Sequence, residues 1–161
     1  MIVLPWYRPI AAFLIAVYCA GAHADCFNDA AARYGVEPNL LRAIAMQESS
    51  GRWNTTVENS NGTVDRGLMG INSIHMPSLA RFGISVRSLY DPCTNIYVGA
   101  WLLKKEILKY GYTWAAVGAY HSNAPALSAD YQWKIYRRWR GIAGHPQSGG
   151  PAGQQVAASG N

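Results

Sequence analysis

One glutamate of this chain occupies a position that is electrostatically unfavourable for a carboxylate. The sequence predicts a helix over residues 38–50, in which Leu41, Ile44 and Glu48 share one face. Glu48 also falls in the last turn, where the helix dipole is negative. Burial and the dipole both raise a carboxyl pKa, and a Glu that keeps its proton near neutral pH is what a general acid requires. The alternative, a Glu at the edge of the buried face that turns to solvent, is the simpler interpretation of the helix pattern alone.

Three short motifs follow one another along the chain and include this glutamate. They are Ala-Met-Gln-Glu-Ser-Ser-Gly at 45–51, Asp-Arg-Gly-Leu-Met-Gly-Ile-Asn at 65–72 and Trp-Ala-Ala-Val-Gly-Ala-Tyr-His-Ser at 114–122. The first motif is weak by itself, whereas all three in this order are specific. Together they resemble the soluble lytic transglycosylase domain, which has a lysozyme-like fold. The resemblance covers about residues 26–140.

The resemblance implies a role for several residues of these motifs. Glu48 matches the single catalytic acid and base of the family, and Ser49 matches the residue that supports it. The segment 67–72 matches a loop that lines the sugar cleft, so Gly70 and Asn72 are expected near the substrate. Tyr120 matches a tyrosine whose hydroxyl contacts the catalytic carboxyl.

The chain departs from the family pattern at two positions. Gly70 stands where the family has Gln, which removes a possible hydrogen-bond donor to substrate and adds backbone freedom. His121 stands in a Tyr-His-Ser sequence where Tyr-Asn-Ala-Gly is common. His121 is either a titratable group near the site or, more simply, a solvated histidine at a helix end.

The implied reaction cleaves the MurNAc–GlcNAc β-1,4 bond of peptidoglycan with one carboxylate, no metal and no cofactor. Glu48 would protonate the glycosidic oxygen, and the N-acetyl oxygen would stabilise the positive sugar. Glu48 would then take a proton from the C6 hydroxyl of MurNAc, which closes a 1,6-anhydro ring. An intramolecular hydroxyl has the entropic advantage of proximity over a water molecule.

Two other functions stay open on the sequence. A hydrolytic lysozyme needs a second carboxylate, for which Asp65 is the candidate, although a turn or cap role is the simpler interpretation of an Asp in a polar loop. Glu58 in the same loop is expected to be solvated. A non-catalytic peptidoglycan-binding component is the third possibility, which the loss of Gln at Gly70 supports and an intact Glu48 opposes.

The short single-domain form looks most like the transglycosylases that accompany type III and type IV secretion systems and pili. Peptidoglycan glycan strands, and components of such a system, are therefore the expected partners. The formal net charge is +5 without a run of five Lys or Arg, so a nucleic-acid-binding arm is not expected. Half of the residues are hydrophobic, which argues against global disorder.

Hydrophobic spacing predicts an all-α domain, because the strong patterns are helical and no long alternating run occurs. The family resemblance implies that this domain has the lysozyme-like architecture. Asp91-Pro92 predicts a capped start for the longest helix, which should end near Gly111. Residues 51–66 are rich in Asn, Thr and Gly and are expected to form a loop. The predicted helices cover 26–34, 38–50, about 73–82, 92–110, 113–121 and 127–140.

The chain ends differ from this domain in composition. Residues 1–24 resemble a secretory signal peptide that is cleaved after Ala24, with an uncleaved anchor as the alternative. Cleavage would leave no stable membrane anchor, and the protein is expected in the periplasm. The domain would then cover 25–142 and a flexible tail 143–161. Cys26 and Cys93 remain as an even pair in an oxidising compartment, where a disulfide is expected rather than two free thiols or a metal site.

Overall fold

Six α-helices and a small antiparallel sheet make up the described part of the chain, residues 22–144 of a computed structural model, with side chains from residue 26 onward. Most of the predicted signal peptide and tail, residues 1–21 and 145–161, lie outside it, so both stay predictions. The helices are α1 (Ala22–Tyr34), α2 (Pro38–Ser49), α3 (Met76–Ala80), α4 (Pro92–Tyr110), α5 (Trp114–His121) and α6 (Pro125–Ala143).

Helices α2 and α4 begin where the sequence provides caps. The carboxylate of Asp91 accepts a hydrogen bond of 2.7 Å from the Thr94 amide, and Pro92 occupies the first turn of α4, as predicted. The side chain of Glu37 caps α2 in the same way and also accepts a bond of 2.8 Å from the indole of Trp139. This second contact ties the start of α2 to α6.

The core lies where α4 packs against α1, α2 and α5 while α6 packs against α2 and α5. Its fully buried side chains are aliphatic in the main, with Leu40, Leu41 and Ile44 from α2, Ile96 and Leu103 from α4, and Ile135 from α6. The prediction of an all-α, lysozyme-like architecture is confirmed, with one small sheet that the sequence analysis did not predict.

Two of the three strands of that sheet lie inside the segment predicted as a loop, so the prediction for residues 51–66 is wrong in part. Strands β1 (Thr56–Glu58), β2 (Val64–Arg66) and β3 (Ile71–Asn72) pair in this order, all antiparallel. Strands of two or three residues are too short to produce a recognisable alternation. The Asn61-Gly62 dipeptide between β1 and β2 is the usual hairpin signal and was the available clue.

The helix predicted over about 73–82 is also shorter than expected. Residues Ser73–His75 form a 3-10 turn that precedes α3, and a second 3-10 turn, Arg87–Tyr90, leads into α4. The side chain of Asn72 caps the first turn by accepting a 3.0 Å bond from the Ile74 amide. Within residues 22–144, no helix is long and apolar enough to cross a bilayer.

The expected disulfide between Cys26 and Cys93 is present, with the two Cα atoms 5.3 Å apart. It joins α1 to the first turn of α4 across 67 positions of sequence. Disulfides of this kind form and persist in oxidising compartments.

Loss of this cross-link should lower stability by about 4 kcal/mol, because the unfolded chain regains the entropy of a long loop. The double variant Cys26→Ser/Cys93→Ser compared with wild type in urea unfolding would measure the loss. Wild type unfolded in the presence of a reductant is the control and should match the double variant. Alkylation of Cys26 or Cys93 without prior reduction would contradict the assignment.

Candidate active site

The structure turns Glu48 into a cleft rather than out to solvent. Helix α2 ends one residue later, because Ser50 adopts a left-handed conformation with φ of 56° and Gly51 follows with φ of 78°. Glu48 therefore lies in the last turn of α2, where it is half-buried and its carboxyl faces the cleft. The first of the two sequence interpretations is the one that the structure supports.

The cleft has a volume of about 540 Å³ and brings together most of the predicted site residues. One wall comes from the β-hairpin and the loop after it, and the facing wall from the end of α5 and the turn to α6. A further side is formed by α4. Residues on these walls include Glu48, Asp65, Gly70, Asn72, Tyr120 and His121.

The carboxyl of Glu48 has a tyrosine partner that the sequence analysis did not identify. The hydroxyl of Tyr131, from α6, donates a hydrogen bond to Glu48 Oε1 across 83 positions of sequence. Tyr131 is buried, and the sequence pattern places it only on the amphipathic face of the last helix. A single tyrosine in a helix that also carries core aromatics offers no sequence signal for this role.

The pKa of Glu48 is raised from 4.5 to about 7, with burial as the largest cause. The hydrogen bond from Tyr131 acts in the opposite direction, because it stabilises the carboxylate, while the negative charge of Asp65 raises the pKa further. Near neutral pH the carboxyl therefore exchanges readily between its protonated and ionised forms. This is the property that acid and base catalysis by one group requires.

Tyr120 does not make the contact with Glu48 that the family resemblance implied. Its hydroxyl donates a 2.8 Å hydrogen bond to the backbone carbonyl of Met69, so the expected contact with the carboxyl is wrong and belongs to Tyr131. Burial is the first cause that raises the pKa of Tyr120, and the charge of Glu48 adds to it. Tyr120 thus lies beside the acid and holds the loop that carries Gly70.

Ser49 lies beneath the cleft and does not line it. The side chain is buried, and its hydroxyl lies 2.8 Å from the Leu68 carbonyl and 3.0 Å from the Ala45 carbonyl, both as acceptors. Ser49 thus links the end of α2 to the loop at 67–70, and its supporting role at the site stays a prediction. Its burial leaves no surface for a sugar.

Asn95 of α4 is the main support of that loop and was also missed. Its side chain is fully buried, and its Oδ1 accepts a 2.7 Å bond from the Met69 amide. Its Nδ2 donates to the carbonyls of Leu89 (2.7 Å) and Arg66 (3.1 Å). A Cβ at Gly67, where φ is 72°, would lie 2.2 Å from the same Nδ2, so only glycine fits there.

Gly70 lies directly against the acid. Its φ is 60°, and a Cβ there would stand 2.7 Å from Glu48 Oε2 and 3.1 Å from Glu48 Cβ. The replacement of the family Gln by Gly therefore clears space beside the second carboxyl oxygen, in addition to removing an amide.

Asp65 and Asn72 form a polar network on the hairpin wall. The two carboxylate oxygens of Asp65 accept bonds from the side-chain amides of Asn59 (2.9 Å) and Asn72 (2.6 Å). Asn72 also donates to the Thr63 hydroxyl at 3.0 Å. Asp65 is thus held as an oriented carboxylate in the same cleft as Glu48, whereas Glu58 is exposed on β1, as expected.

His121 lies on the cleft wall, with its imidazole stacked flat on the ring of Tyr131. The residue is exposed at the end of α5, as the simpler interpretation predicts, and the stacking on Tyr131 also places it beside the site. Within the described residues, no group of three or more His, Cys, Asp or Glu side chains is arranged to hold a metal ion.

The described part of the chain is thus a mostly helical, lysozyme-like domain. It has a glutamate at the end of a helix and a short hairpin beside it. The family model that describes the transglycosylase SLT domain matches residues 25–140. The chain belongs to this family.

The relatives include proteins named for invasion. Invasion protein IagB of Salmonella typhimurium is 39% identical over 130 residues, which are 76% of this chain and 81% of IagB. Protein IpgF of Shigella flexneri is 36% identical over 139 residues, 81% of this chain and 91% of IpgF. The X polypeptide of Escherichia coli K12 is 38% identical over 145 residues, 85% of this chain and 84% of that protein.

A solved structure shares the fold at much lower identity. It is an inactive mutant of the lytic transglycosylase Slt from Pseudomonas aeruginosa, with a TM-score of 0.61 and 19% identity. The match covers 80% of this chain and 25% of the Slt chain.

The raised pKa of Glu48 should make stability depend on pH in a defined window. The folded state binds the Glu48 proton more tightly than the unfolded state between pH 4.5 and about 7, so stability should fall as the pH rises through this range. The free energy of unfolding of wild type, relative to that of Glu48→Gln, should decrease by about 3 kcal/mol between pH 4.5 and about 7, because Gln does not ionise. Urea unfolding at several pH values measures this.

The matched control for this experiment is Glu58→Gln, which replaces an exposed carboxylate on β1. Its difference from wild type should change much less over the same pH range. A difference between wild type and Glu48→Gln that stays constant with pH would contradict the raised pKa.

Gly70→Ala should lower the free energy of unfolding by more than the backbone strain alone would. A non-glycine residue with positive φ costs about 1–3 kcal/mol, and the new Cβ would also displace the Glu48 side chain. Gly83→Ala is the control, since Gly83 has φ of 72° and a Cβ added there would meet no atom within 4 Å. We expect a larger loss of urea stability for Gly70→Ala and a changed Glu48 titration by NMR. Equal losses with an unchanged titration would contradict the close contact.

Proposed function

We propose that this protein is a lytic transglycosylase that cleaves the MurNAc–GlcNAc β-1,4 bond of peptidoglycan and leaves a 1,6-anhydro-MurNAc end. The observation that carries the proposal is Glu48, a cleft carboxyl with a pKa of about 7 and a tyrosine hydrogen bond, in a member of the transglycosylase SLT domain family. The cleft has the size and the mixed polar and apolar lining of a ligand site.

In the first step, protonated Glu48 gives its proton to the glycosidic oxygen. The bond between that oxygen and C1 of MurNAc breaks, and the GlcNAc side leaves as an alcohol. Burial favours the protonated form needed at this point, while Tyr131 stabilises the carboxylate that the transfer leaves behind. The N-acetyl oxygen of MurNAc supports the positive charge at C1.

In the second step, the Glu48 carboxylate takes the proton of the MurNAc C6 hydroxyl as O6 bonds to C1. This closes the anhydro ring and returns Glu48 to its protonated form, so no water is consumed. The opposing effects of burial and Tyr131 suit both steps, because a pKa near the working pH serves an acid and a base equally well.

Hydrolysis is the second candidate reaction, and Asp65 is the observation that favours it. Two amide donors orient its carboxylate in the cleft that contains Glu48. A carboxylate so held would be able to activate water or to stabilise the positive sugar, the roles of the second acid in ordinary glycosidases.

The protein is further proposed to act in the periplasm, where it would open the wall locally for a secretion system or pilus. Support comes from the predicted signal peptide, from the disulfide between Cys26 and Cys93, and from relatives whose names include "Invasion protein". The partner that directs it to the wall would belong to the same envelope machine.

The deciding experiment is mass spectrometry of the sugar ends that the protein releases from purified peptidoglycan. Wild type should yield 1,6-anhydro-MurNAc ends, and Glu48→Gln should lose at least about a hundredfold in rate, as expected for a missing general acid. A Glu48→Gln variant with wild-type cleavage would refute the assignment of the acid.

Asp65→Asn separates the two reactions in the same assay, because Asn is similar in shape to Asp and keeps one oxygen that can accept an amide bond of the hairpin network. If the ends carry reducing MurNAc, heavier by one water, and vanish in Asp65→Asn, the reaction is hydrolysis. Anhydro ends that persist in Asp65→Asn support the transglycosylase.

A further inference from the structure

A flat stack of two rings connects His121 with the acid of the site. The His121 and Tyr131 ring centroids are 4.7 Å apart and the planes differ by 4°. This distance is in the range of attractive ring stacking. The other end of Tyr131 donates its hydroxyl to Glu48 Oε1. The three side chains thus form a continuous line from the cleft wall to the catalytic carboxyl.

The stack depends on the close approach of α5 and α6. A Cβ at Gly118 would lie 2.2 Å from Ser128 Oγ and 2.6 Å from Gln132 Nε2, so a glycine is needed for this spacing. The Ser122 hydroxyl oxygen accepts a 3.1 Å bond from the Ala124 amide in the turn between the two helices. His121, at the end of α5, is thereby brought over Tyr131 in the second turn of α6.

We infer that His121 is a positioning residue for Glu48, acting through Tyr131. The imidazole packs flat against the phenol ring and holds that ring in position, so that its hydroxyl stays within hydrogen-bond reach of Oε1. The inference rests on the proposed function for its effect on catalysis, but its effect on the Glu48 carboxyl does not depend on which reaction follows.

Several charged and titratable side chains near Glu48 and His121 also influence the pKa values of these two residues. Glu48 faces Asp65 on β2, Tyr120 on α5 and Tyr131 on α6. His121 is influenced by Asp65 and by Asp130 and Lys134 of α6, and burial lowers its pKa. Apart from Tyr131 itself, none of these neighbours is altered in the variants below.

The direction of the effect is specific to the hydrogen bond. The bond from Tyr131 lowers the Glu48 pKa, so a loosened phenol should let that pKa rise. Removal of the imidazole by itself admits water to the cleft, which would reduce desolvation and lower the pKa. The two mechanisms therefore predict shifts of opposite sign.

The test is an NMR titration of carbon-13-labelled glutamate side chains in the folded protein, which has only Glu37, Glu48, Glu58 and Glu106 to resolve. His121→Ala should raise the Glu48 pKa in the same direction as Tyr131→Phe. His121→Phe preserves a flat ring and should stay close to wild type. A fall in the pKa, or no change, in His121→Ala would overturn the inference, as would a His121→Phe variant that behaves like His121→Ala.

A double variant tests whether His121 acts through the Tyr131 hydroxyl. In a Tyr131→Phe background, His121→Ala should cause no further shift, because the hydroxyl through which it acts is gone. A further shift of the full size would overturn the inference. Thermal unfolding of each variant confirms that the titrations compare folded proteins.

Cleavage rates add a second readout. His121→Ala should slow glycan cleavage by about tenfold, less than the hundredfold that a displacement of 1 Å can cause, and His121→Phe should restore most of the rate. If wild type releases no glycan products, the proposed function fails, while the titration still decides the role of His121.

Discussion

The buried amide of Asn95 is the interaction on which the geometry of the cleft depends. One buried side chain pairs with three backbone groups, the Met69 amide and the carbonyls of Leu89 and Arg66. Such groups are costly when left without partners. By pairing them, Asn95 joins the end of β2 and the 3-10 turn at Arg87–Tyr90 to α4. The loop that leads to Gly70 is thus anchored to the longest helix.

The pKa of Glu48 is set by opposing effects and not by one strong interaction. Burial disfavours the charged form of Glu48, and Tyr131 favours it. The bond to Tyr131 is possible because α6 packs against α2, where Trp139 and Glu37 also meet. The same packing that forms the core therefore sets the chemistry of the carboxyl, and a change in the angle between these helices would alter both.

The parts of the site that lie within one segment were predictable, and those that join distant segments were not. Glu48 stood out because a helix pattern placed a charge among apolar residues, and Asp91-Pro92 marked the start of α4. Tyr131 and Asn95 carry no local signal, because an aromatic or an amide in a long helix is ordinary until its tertiary partners are known. The family resemblance assigned the tyrosine contact to Tyr120, which lies beside Glu48 but bonds to Met69.

Because 83 positions separate Glu48 from Tyr131, the hydrogen bond between them cannot form until α6 has been synthesised. A chain is synthesised from its N-terminus, and its domains fold as units. Glu48 is made early, but its hydrogen-bond partner arrives only with α6, at the end of the domain. A growing chain, or a fragment cut before α6, therefore carries the acid without the contact that adjusts its proton affinity, and the assembled site comes into being only with the finished domain.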